Sequence, residues 1–221
     1  SSREMTSSPL RLRTILSAAS LSVGVETYQD VNQPALDVLD ISLDALSPEL
    51  QNLLSASKGK TGLAINVFVV RNIRHVGTGG IILGIAGGVP GPPGVHGSVH
   101  SGLAMSAQTA CFEGPNFDPA TTLAHEMGHF LGLFHNQESP FNPGYDETKK
   151  KVVCPCPCAG FMSCVTQQGA SWCRGEDPLT DTTTSASNMM YFSAESAQQF
   201  AGNHFSPAQI QVMLNNPLVR Q

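Results

Sequence analysis

Charged side chains are scarce in this 221-residue chain, and the patterns typical of nucleic-acid and membrane proteins are missing. Asp, Glu, Lys and Arg make up 13% of the residues, well below the usual quarter, and the net charge is −5. No apolar run reaches the roughly 20 residues of a membrane-spanning helix. A phosphate-binding G-x-x-x-x-G-K-[ST] loop does not occur either. We therefore expect neither a nucleic-acid partner nor a membrane span.

Glycine and proline, in contrast, are plentiful, with 21 and 15 residues, and 41% of the chain is hydrophobic. This composition predicts one domain with a substantial core and many loops.

The sequence begins at Ser1 without the basic and then apolar segment of a signal peptide. We expect a leader to have preceded it, together with an N-terminal strand.

The most informative stretch runs from His125 to His135 and reads HEMGHFLGLFH. His125 and His129 are four residues apart, so on an α-helix their imidazoles lie on one face and can bind one Zn²⁺. Gly132 can take the positive φ that ends a helix, and the turn then returns His135 as a third ligand. Three protein ligands leave the fourth zinc position open, which is typical of a catalytic site.

Glu126 follows the first histidine and is placed beside the metal, where it suits a general base better than a ligand. A short H-E-x-x-H can also occur in an inert helix. The full pattern H-E-x-x-H-x-x-G-x-x-H is far more specific. The alternatives are a helix with solvated histidines and a zinc site without catalysis. His96 and His100 are also four apart, but the surrounding glycines and prolines argue against a helix and predict loop or strand residues there.

The cysteine count of six is even, which in a loop-rich chain of low charge favours disulfide bonds and an oxidising compartment. Zinc binding by the closely spaced thiols of the Cys-Pro-Cys-Pro-Cys run is the alternative. The sequence does not choose among the possible pairings. The disulfide candidates are Cys111, Cys154, Cys156, Cys158, Cys164 and Cys173.

Hydrophobic periodicity predicts the other elements. Helices are expected over about residues 9–20, 48–57, 119–131 and 207–215, and strands over about 23–31, 36–41, 63–70, 81–86 and 98–107. The run from Leu63 to Val70 is almost continuously apolar, which is typical of a central strand buried on both faces. Ser206 and Gln209 predict a capping box at the start of the last helix.

The zinc motif and the Met-turn segment further along the chain resemble the metzincin zinc metallopeptidases. Within that group the chain is most similar to the pappalysin-like branch, over about Leu63 to Leu214. Three segments carry this finer resemblance: Asp177-Pro178-Leu179-Thr180-Asp181-Thr182, Asn188-Met189-Met190 and Phe205-Ser206-Pro207-Ala208-Gln209.

The resemblance implies one α/β (α+β) domain over residues 1–221. A twisted, mixed and mostly parallel sheet backed by helices would form the upper part, to about residue 135. The lower part, about 136–221, would be rich in loops, contain disulfides and hold the Met-turn and the last helix. The zinc cleft would lie between the two parts.

The resemblance also assigns Met190 to the floor beneath the zinc, although a methionine in a loop is often simple packing. Such families often carry a zinc-proximal tyrosine two residues after the turn methionine. That position holds Phe192 if Met190 is the turn residue, as we favour, and Tyr191 if Met189 is. A tyrosine hydroxyl there would stabilise an oxyanion.

Asp177 and Asp181 are candidates for a Ca²⁺ site, because Ca²⁺ prefers oxygen ligands and the resemblance makes such a site worth testing. A solvated or helix-capping role is the alternative for these carboxylates.

The expected function is that of a secreted zinc endopeptidase acting on protein or peptide substrates. Glu126 would take the proton of a zinc-activated water and pass it to the leaving amine. An extended substrate would pair with the sheet edge near Ser98 to Ala107. The alternatives are a non-catalytic zinc-containing binding or adhesion module, which an intact Glu126 argues against, and a narrow processing protease with one partner substrate.

Overall fold

The computed structural model describes residues 7–41, 47–76, 81–107, 119–135, 144–146, 151–153, 188–190 and 204–219. Within these ranges the helices are α1 (Ser7–Ala18), α2 (Pro48–Ser55), α3 (Pro119–Phe130) and α4 (Pro207–Leu214), with a 3-10 turn at Pro34–Leu36. The strands are β1 (Val38–Ile41), β2 (Val67–Val70), β3 (Asn72–His75), β4 (Gly84–Ala86), β5 (Leu103–Ser106), β6 (Gly144–Asp146) and β7 (Lys151–Val153). The described chain is therefore of the mixed α/β class.

The strands form small sheets of mixed direction. β1 pairs in parallel with β3, and β5 pairs in parallel with β2 and antiparallel with β4, giving the order β2-β5-β4. β6 and β7 pair only with each other, antiparallel, among the described residues. The expected single sheet is thus divided, but only Arg71 separates β2 from β3. β2 and β3 are therefore consecutive segments of one stretch of chain, and this stretch connects the β2-β5-β4 sheet to the β1-β3 sheet.

The first hydrophobic core lies between α2 and the strands. Ser47 caps α2 by accepting a hydrogen bond from the Leu50 N–H, and Pro48 occupies the first turn, as the sequence predicts. The leucines of α2 recur at helical spacing and are buried. The buried members of this core are Leu39, Ile41, Leu50, Leu53, Leu54, Val70, Ile73 and Ala104.

The second core lies around α3 and includes residues of both α1 and α4. Leu12 and Leu16 are buried on the predicted apolar face of α1, which packs against α3, while Ile15 is partly buried and Ala19 follows the end of the helix. The burial of each large side chain contributes about 1.5–3 kcal/mol to folding. The buried members of this core are Leu12, Leu16, Ala19, Leu21, Ala120, Ala124, Leu131, Leu133, Met189, Met190, Phe205 and Met213.

A buried amide pair connects α4 to the segment at 188–190. Asn188 Nδ2 donates to Gln209 Oε1 at 2.9 Å, and Gln209 Nε2 donates back to Asn188 Oδ1 at 3.3 Å. The same Gln209 completes the predicted capping box, since its side chain accepts from the Ser206 N–H and its own N–H donates to Ser206 Oγ. One glutamine therefore caps a helix and positions a distant loop.

The strand predicted over residues 23–31 is wrong. Residues 21–33 form no helix or strand, and Val25 is 96% exposed. Alternation of apolar residues specifies a strand only where one face is buried and a neighbouring strand pairs with the backbone. This segment has neither among the described residues.

The strand predicted at Leu63 to Val70 is correct in type but shorter and less buried. It begins at Val67 and lies at an end of the order β2-β5-β4, with Val67 40% and Val69 69% exposed. The opposite face, with Phe68 and Val70, packs into the core beneath α2. The apolar run therefore reflects an edge strand with one buried face. Sequence reasoning also missed β3, which follows directly.

The predicted substrate edge near Ser98 to Ala107 is also wrong. The strand within that stretch is β5. Its four residues are buried, and it lies between β2 and β4 in the sheet. The backbone groups of β5 are occupied by its two neighbours, so no further strand can add there.

Among the described residues, no helix is long and apolar enough to cross a membrane.

Substitution of Gln209 by Ala is expected to lower the free energy of unfolding by about 2–3 kcal/mol, because it leaves the buried Asn188 amide and Ser206 N–H without their partner. Urea unfolding measures the change. Gln211→Ala on the exposed face of the same helix is the matched control, with an expected change below about 0.5 kcal/mol. Equal losses in both variants would contradict a role for the amide pair.

Candidate metal centre

The chain turns sharply directly after α3, and this turn brings three histidines together. Gly132 has a φ of +113°, a conformation that residues with a Cβ rarely adopt. The Gly132 N–H donates to the His129 carbonyl oxygen, and the Leu133 N–H donates to the Gly128 carbonyl oxygen, both at 2.9 Å. The predicted helix end at Gly132 is confirmed, and the chain reverses so that His135 faces the helix.

The three imidazoles meet through their Nε2 atoms. The distances are 3.1 Å from His125 to His129, 3.0 Å from His129 to His135 and 3.2 Å from His125 to His135. Three nitrogen ligands at about 2.0–2.1 Å from one zinc ion, at tetrahedral angles, are about 3.3 Å apart. The observed triangle fits that donor set closely. It is also the one cluster of metal-binding side chains found among the described residues.

Backbone carbonyl groups orient two of the rings. His125 Nδ1 donates to the Met189 carbonyl oxygen at 2.7 Å, and His129 Nδ1 donates to the Leu133 carbonyl oxygen at 2.8 Å. A carbonyl oxygen only accepts, so these bonds place the proton on Nδ1 and leave the Nε2 lone pair directed into the triangle. Such outer hydrogen bonds are typical of metal-binding histidines.

Burial keeps His125 neutral. The residue is 6% exposed, and its pKa is lowered to about 3, first by burial and second by the neighbouring His135, while the hydrogen bond to Met189 opposes the shift. A neutral imidazole is the form that binds a metal ion. The site is therefore ready to accept a cation at physiological pH without first losing a proton from His125.

Glu126 is buried beside this cluster. Only 6% of the residue is exposed, and burial raises the pKa of its carboxyl group to about 8, while a hydrogen bond from the Ala86 N–H opposes the shift. A cation bound by the neighbouring histidines would favour the carboxylate form. A carboxyl group whose pKa lies near neutrality can both take up and release a proton at working pH.

Met190 lies beneath α3 at the level of the metal motif. It is fully buried, and a Cβ added to Gly128 would be 2.5 Å from its Sδ atom. The Met190 N–H donates to Asn188 Oδ1 at 2.8 Å, which fixes the turn. Met189 is equally buried and supplies the carbonyl group that orients His125. The two methionines thus have different contacts, and the assignment of Met190 as the turn residue remains a prediction.

The other histidine pair forms no metal site among the described residues. His96 and His100 lie in the irregular stretch at 87–102, so the prediction that no helix holds them is confirmed, whereas the strand predicted from Ser98 begins only at Leu103. His96 Nε2 lies 2.9 Å from the Gly62 carbonyl oxygen, and Asn66 Nδ2 lies 3.0 Å from His96 Nδ1. His100 Nδ1 lies 2.6 Å from the Gly87 carbonyl oxygen. Both rings hold loops together.

Several predicted site residues lie outside the described parts of the chain. These are Tyr191 with its neighbour Phe192, the calcium candidates Asp177 and Asp181, and the six cysteines. The oxyanion, calcium and disulfide expectations therefore stay predictions.

Sequence reasoning missed the groups that surround the motif. They are the Met189 and Leu133 carbonyl oxygens, the Ala86 N–H and the Asn188 side chain. Backbone groups leave no signal in residue identity. The sequence marks Asn188 only as part of the Met-turn, because its pairing with Gln209 depends on tertiary structure.

No protein-family model matches the chain, and no curated protein is significantly similar to it. The metzincin resemblance thus depends on the residues of the motif.

The metal-free protein is expected to lose stability between about pH 5 and pH 8 because of Glu126. The folded-state pKa of about 8 exceeds the ordinary value of 4.5, so the unfolded chain releases this proton at lower pH than the folded protein does. The stabilisation is complete below pH 4.5 and is lost as pH rises to 8. Glu126→Gln removes this dependence.

Urea unfolding in a chelator, at several pH values, measures the difference between the two proteins. The free energy of unfolding of wild type should fall relative to Glu126→Gln by about 4 kcal/mol, at about 1.4 kcal/mol per pK unit. The contribution of His125 is common to both proteins and cancels. A difference that stays constant with pH would contradict the raised pKa.

Proposed function

We propose that this chain is a zinc endopeptidase in which His125, His129 and His135 hold the metal and Glu126 is the general base. The observation that carries the proposal is the convergence of three Nε2 atoms at 3.0–3.2 Å beside a buried glutamate. His125 and His129, whose Nδ1 atoms carry the proton, direct their Nε2 lone pairs into the triangle. Three ligands from the protein leave room for water at a zinc ion, as catalytic zinc sites require.

The chemistry divides between the metal and the protein. A zinc ion in this site supplies Lewis acidity and lowers the pKa of a bound water toward about 7. Glu126 takes a proton from the attacking water and delivers it to the leaving amine of the peptide. Burial supports both steps, because it raises the proton affinity of the Glu126 carboxylate and keeps bulk water away from it.

The outer edge of β4 is the proposed place for an extended substrate. The Leu83 carbonyl oxygen accepts from the Ser106 N–H, and the Gly87 N–H donates to the Gly102 carbonyl oxygen. The backbone groups of Leu83 and Gly87 thus point toward β5. Alternation along a strand turns the backbone groups of Gly84 and the carbonyl group of Ala86 outward, where a peptide can pair with them. Ala86 also binds the Glu126 carboxylate, so this edge lies beside the proposed base.

The proposal extends to class and location on the strength of the sequence. The eleven-residue motif favours a metzincin-type peptidase, similar to the pappalysin-like group, with protein or peptide substrates. The even number of cysteines favours a secreted protein. The two-part domain with a zinc cleft, divided at about residue 135, belongs to the same proposal.

Glu126→Gln is expected to lower kcat for a casein-derived peptide by about 10²–10⁴-fold, the usual contribution of a general base, while zinc content stays at about one ion per chain. Elemental analysis and a peptidase assay on the same samples measure both quantities. Glu49→Gln in the first turn of α2 is the control, with unchanged activity.

Equal activity in wild type and Glu126→Gln would exclude Glu126 as the base. Bound zinc with no cleavage by wild type would favour the binding-module alternative. Cleavage of a single sequence from a broad peptide library would favour a narrow processing protease.

A further inference from the structure

The chain path of β4 passes so close to Glu126 that there is no room for a side chain at residue 84. A Cβ added to Gly84 would lie 2.7 Å from Cγ, 3.0 Å from Oε1 and 3.1 Å from Cδ of Glu126. Carbon atoms do not approach to 2.7 Å without displacement. The closest atom is Cγ, in the middle of the side chain, so any displacement there also moves the carboxylate.

Backbone conformation does not explain the glycine. Gly84 is a strand residue in register with Met105 of β5, and its φ lies outside the left-handed region occupied by six other glycines of the described chain. Glycine weakens a strand interior and commonly marks the close approach of another group. The requirement at this position is therefore space, which a substitution can test without introducing backbone strain.

Ala86, two residues further along β4, supplies the second restraint. Its N–H donates a hydrogen bond to the Glu126 carboxylate. Glu126 is 6% exposed, so its side chain cannot move into solvent to avoid a new neighbour. The backbone at Gly84 thus lies against the middle of the Glu126 side chain, and the Ala86 amide holds its carboxylate end.

We propose that Gly84 is a positioning residue for the general base: its missing side chain admits Glu126 to the site where the Ala86 N–H holds the carboxylate. The role of Glu126 as base rests on the proposed function, whereas the contact itself does not. The backbone of Gly84 lies on the proposed substrate edge, whereas its missing side chain touches no reacting atom and acts through Glu126.

The first test observes the contact without any catalysis. In ¹H–¹⁵N spectra of the metal-free protein, the Ala86 amide proton should shift upfield in Gly84→Ala by at least half the displacement that Glu126→Ala causes. Gly24→Ala is the matched control, because a Cβ at Gly24 meets nothing within 4 Å, and its spectrum should keep the Ala86 resonance in place. An unchanged Ala86 resonance in Gly84→Ala overturns the proposal, even if wild type is an active peptidase.

The second test concerns the zinc-loaded enzyme. Gly84→Ala should lower kcat by about 100-fold, the effect of an ångström-scale displacement of a catalytic group, with KM changed less than about threefold and zinc content unchanged. Gly24→Ala should leave kcat unchanged. An unaltered kcat in Gly84→Ala overturns the positioning role. No activity in wild type contradicts the proposed function instead, and the amide shift then still tests the contact.

A double variant covers the case in which Gly84→Ala fails to fold. If the crowding is with Glu126, the loss of thermal stability caused by Gly84→Ala should disappear in the Glu126→Ala background, where the facing side chain is absent. A Gly84→Ala/Glu126→Ala protein that folds like Glu126→Ala supports the proposal. The same loss in both backgrounds overturns it, because the crowding would then involve another group.

Discussion

The reversal of the chain at Gly132 is the constraint on which the candidate site depends. A φ of +113° lets α3 end within one turn of its second histidine and returns His135 to the same point in space. The same turn presents the Leu133 carbonyl group to His129. A single backbone conformation therefore assembles the three nitrogens of the candidate metal site and orients one of the rings. A side chain at Gly132 would strain that conformation and separate the ligands.

Burial gives the surrounding groups their chemistry. His125 and Glu126 are neighbours on α3, and the low-dielectric surroundings lower the pKa of the imidazole and raise that of the carboxyl group. Both residues are therefore neutral at pH 7 in the metal-free protein. The Met189 carbonyl group holds the imidazole in place, and the Ala86 amide holds the carboxylate.

The site could be predicted from sequence better than the sheets could. Histidines at i and i+4, followed by Gly132 and His135, specify a local geometry that needs only a helix and a turn. The strand expected at residues 23–31 failed because alternation contains no information about a pairing partner, and Val25 is almost fully exposed. The edge position of β2 and the central position of β5 likewise depend on contacts distant in sequence. Cysteine pairing depends on such contacts too.

The most direct test of the central claim is X-ray absorption at the zinc edge of the purified, zinc-loaded protein. The expected result is four light ligand atoms at about 2.0–2.1 Å, with the multiple-scattering pattern of three imidazoles. The His129→Ala variant should lose one imidazole from that pattern. Sulfur ligands at about 2.3 Å would place the metal on the cysteines and contradict the histidine site.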